Sequence, residues 1–237
     1  MTSLDTIKIF ADGASLPDLT ALAGNARIAG FTTNPTLMRK AGVRDYRAFA
    51  REVLQHITEK PISFEVFADE FAEMNRQARE IATWGGNVYV KIPVTNTRRE
   101  SAAALVKALA ADGVKLNVTA ICTLAQVREV AQALAGGAPS VVSVFAGRVA
   151  DTGRDPVPLM REALQICRDR DQSIELLWAS PRELLNIVQA AEVGCDIITV
   201  TPDLLKKLEL VGKDLGEFSL DTVKMFHRDA QDAGYKL

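Results

Sequence analysis

The sequence predicts an α/β fold, and within that class a single (β/α)8 TIM barrel with an additional C-terminal helix. Three observations carry this expectation. Short β-like runs alternate with longer helical ones eight times without interruption, which implies parallel strands joined by helical crossovers. The length of 237 residues suits one such barrel, for which ~250 is typical. No G-x-G-x-x-G follows the first strand and no Walker loop occurs, so a doubly wound open sheet, the other way to arrange these elements, lacks its nucleotide signature. No linker or composition shift marks a second domain, and residues 1–237 read as one.

The elements follow in order. Ile7–Asp12 is strand one, and Leu16–Ala23 is a short helix ending before Gly24-Asn25. Strand two is Ile28–Asn34, stopped by Pro35, which has no N–H to give a sheet. Helical sequence runs from about Thr36 to Ile57 with a break at Ala41-Gly42. Pro61–Phe67 is strand three, and its helix spans roughly Glu70 to Thr83 with Ala72, Ala78 and Ile81 on the inner face. Val88–Val94 is strand four: five of its seven residues are β-branched or aromatic, and Gly85-Gly86-Asn87 turns into it. Arg99–Ala111 is an alanine- and leucine-rich helix closed by Asp112-Gly113.

Val114–Ile121 is strand five, after which Thr123 N-caps a helix to Leu134 that stops at Gly136-Gly137. Strand six, Val141–Ala146, is followed by a helix over Pro158–Arg168. Strand seven is Ser173–Ala179, and Pro181 stands at the first helical position of Pro181–Ala191. Asp196–Val200 is strand eight and Leu204–Leu210 its helix. The last helix, Leu220–Ala233 within a segment of about 219–234, exceeds the barrel's requirement. It either closes the barrel base or reaches a neighbouring subunit.

Composition narrows the function classes. Hydrophobic residues at 48% with 24% charged permit a sizeable core and argue against disorder. A net charge of −2 without a basic run offers no electrostatic footprint for nucleic acid or an anionic membrane, and neither partner is expected. Cys122, Cys167 and Cys195 are far apart and outside any CxxC pattern, which suggests core packing in a reducing compartment and no zinc site. The N-terminal residues lack a basic leader and no stretch is long enough to span a membrane, so a cytoplasmic location is expected. His56 and His227 have no metal partner set, no metal is expected, and Trp84 and Trp178 read as packing residues.

One residue resists a structural explanation by default. Lys91 sits in the middle of the apolar fourth strand, and lysine is seldom buried unless paired. Either it is an edge lysine or half of a structural ion pair, or it is an amine kept in an apolar site to attack a carbonyl and form a Schiff base. Barrel chemistry sits at the C-terminal ends of strands. The polar residues at those ends are Asp12, Thr32, Asn34, Glu65, Lys91, Asn117, Thr119, Ser143, Arg148, Ser180 and Arg182. Asn117 and Thr119, two apart on a strand, share a face. Glu65, between Phe64 and Val66, needs a cation if it points inward, and Lys91 on the adjacent strand is the counter-ion at hand.

Phe31-Thr32-Thr33-Asn34-Pro35-Thr36 and Val90-Lys91-Ile92-Pro93-Val94-Thr95 together resemble the two signature stretches of transaldolases, in the short form shared with fructose 6-phosphate aldolase-like proteins. The similarity runs from Asp12 to Arg182. The resemblance implies a class I aldolase-type barrel with no cofactor, in which Lys91 forms the Schiff base. Asp12 matches the family's acid/base residue at the substrate C4 hydroxyl, and Glu65 with Thr119 matches the pair that moves protons during carbinolamine dehydration. Asn34 and Asn117 match the asparagines that hold the dihydroxyacetone hydroxyls, with Thr32 beside them and Ser143 at the substrate-contacting serine. Arg148, Ser180 and Arg182 match the phosphate group's ligands, and helix N-terminal amides from Pro181 onward would face the same anion.

Two positions within the resemblance separate transfer from simple aldol release. Aldolase-type members carry glutamine at Glu65 and tyrosine at Phe145, so this chain matches the transaldolase kind at both. It departs from the pattern at Pro181, where an aromatic residue is commoner, and at Gly13, where a hydroxyl residue is commoner. The implied reaction moves dihydroxyacetone from fructose 6-phosphate or sedoheptulose 7-phosphate to an aldose phosphate, in the pentose phosphate pathway. A dihydroxyacetone aldolase, a transaldolase for a sulfonated sugar, and a sugar-phosphate-binding barrel without turnover are the alternatives. The resemblance also implies a homo-oligomer, a pentamer or decamer in which a C-terminal helix packs on a neighbour.

Overall fold

A computed structural model of the protein describes Leu4 and residues 6–237. Its strands are β1 (Lys8–Asp12), β2 (Ile28–Thr32), β3 (Ile62–Glu65), β4 (Val88–Pro93), β5 (Leu116–Ile121), β6 (Ser140–Val144), β7 (Ile174–Trp178) and β8 (Ile197–Val200). They pair in parallel in sequence order, and β8 pairs with β1 to close the barrel. The helices are α1 (Leu16–Ala23), α2 (Pro35–Lys40), α3 (Tyr46–His56), α4 (Phe71–Ala82), α5 (Ala103–Ala111), α6 (Leu124–Leu134), α7 (Ala146–Ala150), α8 (Pro156–Arg170), α9 (Leu185–Val193), α10 (Pro202–Lys206) and α11 (Leu215–Asp232). This is the (β/α)8 architecture the alternation predicts.

The break expected at Ala41-Gly42 is present, α2 and α3 dividing around Gly42, whose φ is 75°. The elements depart from expectation where a side chain or a turn overrides the pattern. Asn34 is not a strand residue: its side chain accepts from the Leu37 N–H and N-caps α2, with Pro35 at the first turn. The helix expected from Arg99 begins only at Ala103, because Arg99 is left-handed at φ 65° and Thr95 bridges to Ser101. Arg98 is engaged by Glu100 in the same loop and by Glu70 at the start of α4. α7 has five residues and no apolar periodicity to announce it. Thr123 and Gln126 form the capping box that starts α6.

Phe10, Val141, Leu177, Ala179 and Ile197 meet in a buried cluster contributed by β1, β6, β7 and β8. Phe10 fits there because Gly30 on the paired strand has no side chain: a Cβ at residue 30 would lie 2.5 Å from the Phe10 ring. Register then sets the polar layer. Asp12 pairs with Thr32, and Glu65, Lys91 and Asn117 lie in one row across β3, β4 and β5.

The chain divides into two compact units, Met1–Leu205 and Lys206–Leu237. The second has a 3-10 turn at Lys207–Leu210 and α11, which Asp214 N-caps by accepting from the Glu217 N–H. Leu215, Phe218, Val223 and Phe226 on α11 are exposed. No helix among the described residues is long and apolar enough to cross a membrane.

Candidate active site

Lys91 is 6% exposed, so the apolar strand buries its ammonium stem. Its Nζ donates to the Thr33 carbonyl at 3.0 Å and lies 3.5 Å from Glu65 Oε2. One anchor is therefore a backbone oxygen and the other a carboxylate, which answers the desolvation that makes a bare buried lysine costly. Thr33 is itself held, its hydroxyl donating to the Ser63 carbonyl at 2.9 Å. Burial raises the Glu65 pKa above the usual carboxylate range, the charge of Lys91 opposes this, and the charge of Asp12 adds to it. The Tyr46 hydroxyl donates to the Glu65 carbonyl at 2.8 Å and fixes the end of β3 from outside the barrel.

Asp12 stands at the end of β1. Burial raises its pKa as well, against the charge of Lys91 and the hydrogen bonds of Thr32 and Asn34. Thr32 Oγ1 donates to Asp12 Oδ1 at 2.8 Å and is 2.5 Å from Thr199 Oγ1 on β8. Asn34 uses its side-chain oxygen on the α2 cap, which leaves the amide NH2 to face Asp12 and the cavity. Asp12, Glu65 and Lys91 thus come from three strands to one mouth, where two proton carriers flank an amine.

These side chains line a cavity of about 470 Å³ together with Thr32, Asn34, Thr119, Ser143, Phe145, Arg148, Ser180 and Arg182. Thr119 Oγ1 is buried and makes no hydrogen bond among the described residues, so its hydroxyl is available to a guest at the cavity wall. Asn117 differs from expectation. It is not in the cavity wall: its amide donates to Ser63 Oγ at 3.0 Å and its oxygen accepts from Ser143 Oγ at 2.6 Å. Both amide atoms being engaged, Asn117 holds Ser143 from below. A groove of about 500 Å³ beside Arg39, Arg44 and Phe67 is comparable in size, but it touches only Glu65 of the reactive groups.

The cationic end is built by a close approach of two loops. Gly147 in α7 donates its N–H to the Ala179 carbonyl at 3.3 Å, and a Cβ there would lie 1.5 Å from the Ser180 carbonyl oxygen. Ser180 is left-handed at φ 58° and Ala120, also in the cavity wall, at φ 62°. Such strain is held by surrounding structure and tends to occur at functional sites. The Arg148 guanidinium lies 5.8 Å from the Phe145 ring centroid. Arg182 is engaged at Nε and Nη2 by both carboxylate oxygens of Asp151. The helix expected from Pro181 starts at Leu185 instead, since Asn186 Oδ1 accepts the N–H groups of Arg182 and Glu183. Those amides do not face an anion, and the arginine side chains with Ser180 form the polar end.

Sequence reasoning missed Thr199, Tyr46 and Asp151. Thr199 lies inside an apolar run, Tyr46 opens a helix, and Asp151 belongs to a loop, so none stands next to a motif. The position of Thr199 near the C-terminal end of a barrel strand was the available signal.

Residues 9–237 match the family described as Transaldolase/Fructose-6-phosphate aldolase. A "Probable transaldolase" of Dehalococcoides mccartyi is 35% identical over 202 residues, 85% of this chain and 90% of that protein. A "Probable transaldolase" of a Thermoanaerobacter species is 33% identical over 231 residues, 98% of this chain and all of that protein. Among solved structures, dihydrodipicolinate synthase from Rhodopseudomonas palustris superposes with a TM-score of 0.58 at 15% identity, covering 84% of this chain and 71% of that one. The alpha subunit of tryptophan synthase from Campylobacter jejuni gives 0.57 at 12% identity, covering 83% and 86%. These two share the fold alone.

Proposed function

Because this chain belongs to the transaldolase/fructose-6-phosphate aldolase family, we propose that it is a Schiff-base transferase of dihydroxyacetone units. The donor is sedoheptulose 7-phosphate or fructose 6-phosphate, the acceptor erythrose 4-phosphate or glyceraldehyde 3-phosphate, and the setting the pentose phosphate pathway of the cytoplasm. The observation that carries this reading is Lys91: a buried amine at a cavity wall, 3.5 Å from Glu65 and within the electrostatic reach of Asp12. No cofactor or metal is needed, since the imine is itself the electron sink.

The residues divide the work as follows. Lys91 attacks the ketone C2, and the carbinolamine loses water as Glu65 and the Thr119 hydroxyl pass protons to the departing oxygen. A raised pKa suits Glu65 to hold and pass on a proton in this exchange. Asp12 takes the C4 hydroxyl proton, the C3–C4 bond breaks, its electrons enter the iminium, and an aldose phosphate leaves. The enamine left on Lys91 attacks the acceptor aldehyde, Asp12 returns the proton, and hydrolysis frees the new ketose. Asn34 and Ser143 hold the dihydroxyacetone hydroxyls, with Asn117 acting through Ser143. Arg148, Ser180 and Arg182 hold the anionic end. Phe145 offers no hydroxyl to protonate the enamine, so the three-carbon unit waits for an acceptor.

A second reading rests on Arg182. Two of its N–H groups face Asp151, which leaves fewer for an incoming anion and favours a monoanion such as a sulfonate over a phosphate dianion.

Borohydride trapping tests the chemistry. Incubation with fructose 6-phosphate followed by reduction should leave a three-carbon adduct on Lys91, found by peptide mass spectrometry and lost in Lys91→Ala. If no ketose phosphate or sulfonate gives that adduct in folded protein, the transfer mechanism is wrong and a binding barrel takes its place. With the adduct in hand, release of free dihydroxyacetone in the absence of acceptor measures aldolase against transfer activity.

A further inference from the structure

We propose that Thr199 is a positioning residue whose hydroxyl donates to Thr32 and thereby commits the single Thr32 proton to Asp12. This deepens the transfer reading, since it concerns the group that reading assigns to the C4 proton. Thr32 Oγ1 has one hydrogen, and it makes two short contacts, 2.8 Å to Asp12 Oδ1 and 2.5 Å to Thr199 Oγ1. An ionised carboxylate only accepts, so the Thr32 hydrogen must point at Asp12 for that bond to exist. The contact to Thr199 is then a hydrogen bond only if Thr199 is the donor. A proton chain Thr199→Thr32→Asp12 follows, in which each bond polarises the next.

The chain is built into the closure of the barrel. β8, β1 and β2 are consecutive around the ring, with Phe10 opposite Thr199 and Asp12 opposite Thr32. Thr32 is 1% and Thr199 7% exposed, so water competes poorly for either hydroxyl. The charged groups facing Asp12 across the cavity are Lys91 on β4 and Glu65 on β3. Lys40, Arg148 and Arg182 stand farther along the same wall. Of the hydrogen-bonding groups at Asp12, Asn34 is fixed by its capping bond, whereas among the described residues the Thr32 hydroxyl is hydrogen-bonded only to Asp12 and Thr199. Without the Thr199 hydroxyl, the Thr32 oxygen loses the donor that polarises its own O–H, and the bond that Thr32 gives the carboxylate weakens.

The measurement is the titration of the Asp12 carboxyl carbon by 13C NMR in substrate-free full-length protein, assigned with Asp12→Asn. Thr199→Val, which keeps the shape and removes the hydroxyl, should raise the Asp12 midpoint by roughly half a unit to one unit, and Thr199→Ala should do the same if the valine variant folds poorly. Thr199→Ser should titrate like the parent. In a Thr32→Val background, Thr199→Val should add nothing. An unchanged midpoint in both hydroxyl-less variants overturns the proposal, as does an equal shift in the Thr32→Val background, which would mean that Thr199 acts on Asp12 by packing. The midpoint is read without substrate, so an absent Lys91 adduct would remove the transfer reading and leave this test intact. Where transfer is present, the acidic limb of kcat/KM should move upward with the NMR midpoint while adduct formation on Lys91 persists.

Discussion

Asp12 has a raised pKa because burial outweighs the help of Lys91, Thr32 and Asn34. The consequence for stability has a definite sign. A carboxyl whose folded pKa exceeds its unfolded value of about 3.9 binds more protons in the native state, so its favourable contribution is complete below that unfolded value. It is lost as pH rises through the raised folded value. Asp12→Asn should therefore be more stable than the parent at pH 8 and no more stable at pH 3.5, as read from urea midpoints. A parent more stable than the variant at pH 8 would show that Lys91 and the hydrogen bonds win. The thiols give a second check. Burial pushes Cys167 and Cys195 up to about 12, whereas Cys122 is only partly buried. Native protein at pH 8 should lose one thiol to a disulfide reagent and denatured protein all three. Asp12, Glu65 and Lys91 were legible as residues because charged side chains on apolar strands demand a reason. Asn117 was legible as a candidate too, but only the fold reveals that Ser63 and Ser143 take both ends of its amide.

At the scale of elements, the polar end of the cavity depends on α7 resting against the loop after β7. Gly147 permits that contact, because a side chain there would collide with the Ser180 backbone. Gly147→Ala should displace Ser180 and Arg182 together and raise KM for a phosphorylated donor by about tenfold, a loss of roughly 1.4 kcal/mol, with a smaller effect on kcat. Equal losses in kcat and kcat/KM, with KM unchanged, would mean that the loop serves the chemistry and not the anion. Gly30 has the corresponding role under the site. Gly30→Ala should cost about 1–3 kcal/mol in denaturant unfolding by crowding the Phe10 ring, and Phe10→Leu should recover part of it. Neither glycine announces its task in the sequence, where Ala-Gly-Phe and Ala-Gly-Arg are unremarkable. Their need arises from which backbone the barrel brings opposite them. The start of α9 was misread for a related reason: Pro181 is a good first helical residue, but the Asn186 side chain takes the amides that an earlier helix start would leave free.

For the molecule as a whole, the unit Lys206–Leu237 carries α11 with exposed Leu215, Phe218, Val223 and Phe226, more apolar surface than a helix normally leaves uncovered. The expected self-association through this helix predicts that Phe226→Lys lowers the mass in light scattering toward the single-chain 25.7 kDa. An unchanged mass would assign assembly, if any, to another surface. What the sequence determined by itself was the architecture and its reactive core. Eight alternations of strand and helix leave few ways to bury the apolar faces, and charges within apolar strands mark where chemistry must sit. Only the tertiary structure decided how those groups are supported. Register across neighbouring strands places Glu65, Lys91 and Asn117 in one row, barrel closure brings Thr199 to Thr32, and a loop residue far along the chain, Asp151, engages Arg182. These are contacts between residues 31 to 167 positions apart or across strands whose stagger no local pattern encodes, and they exist because the chain closes on itself in three dimensions.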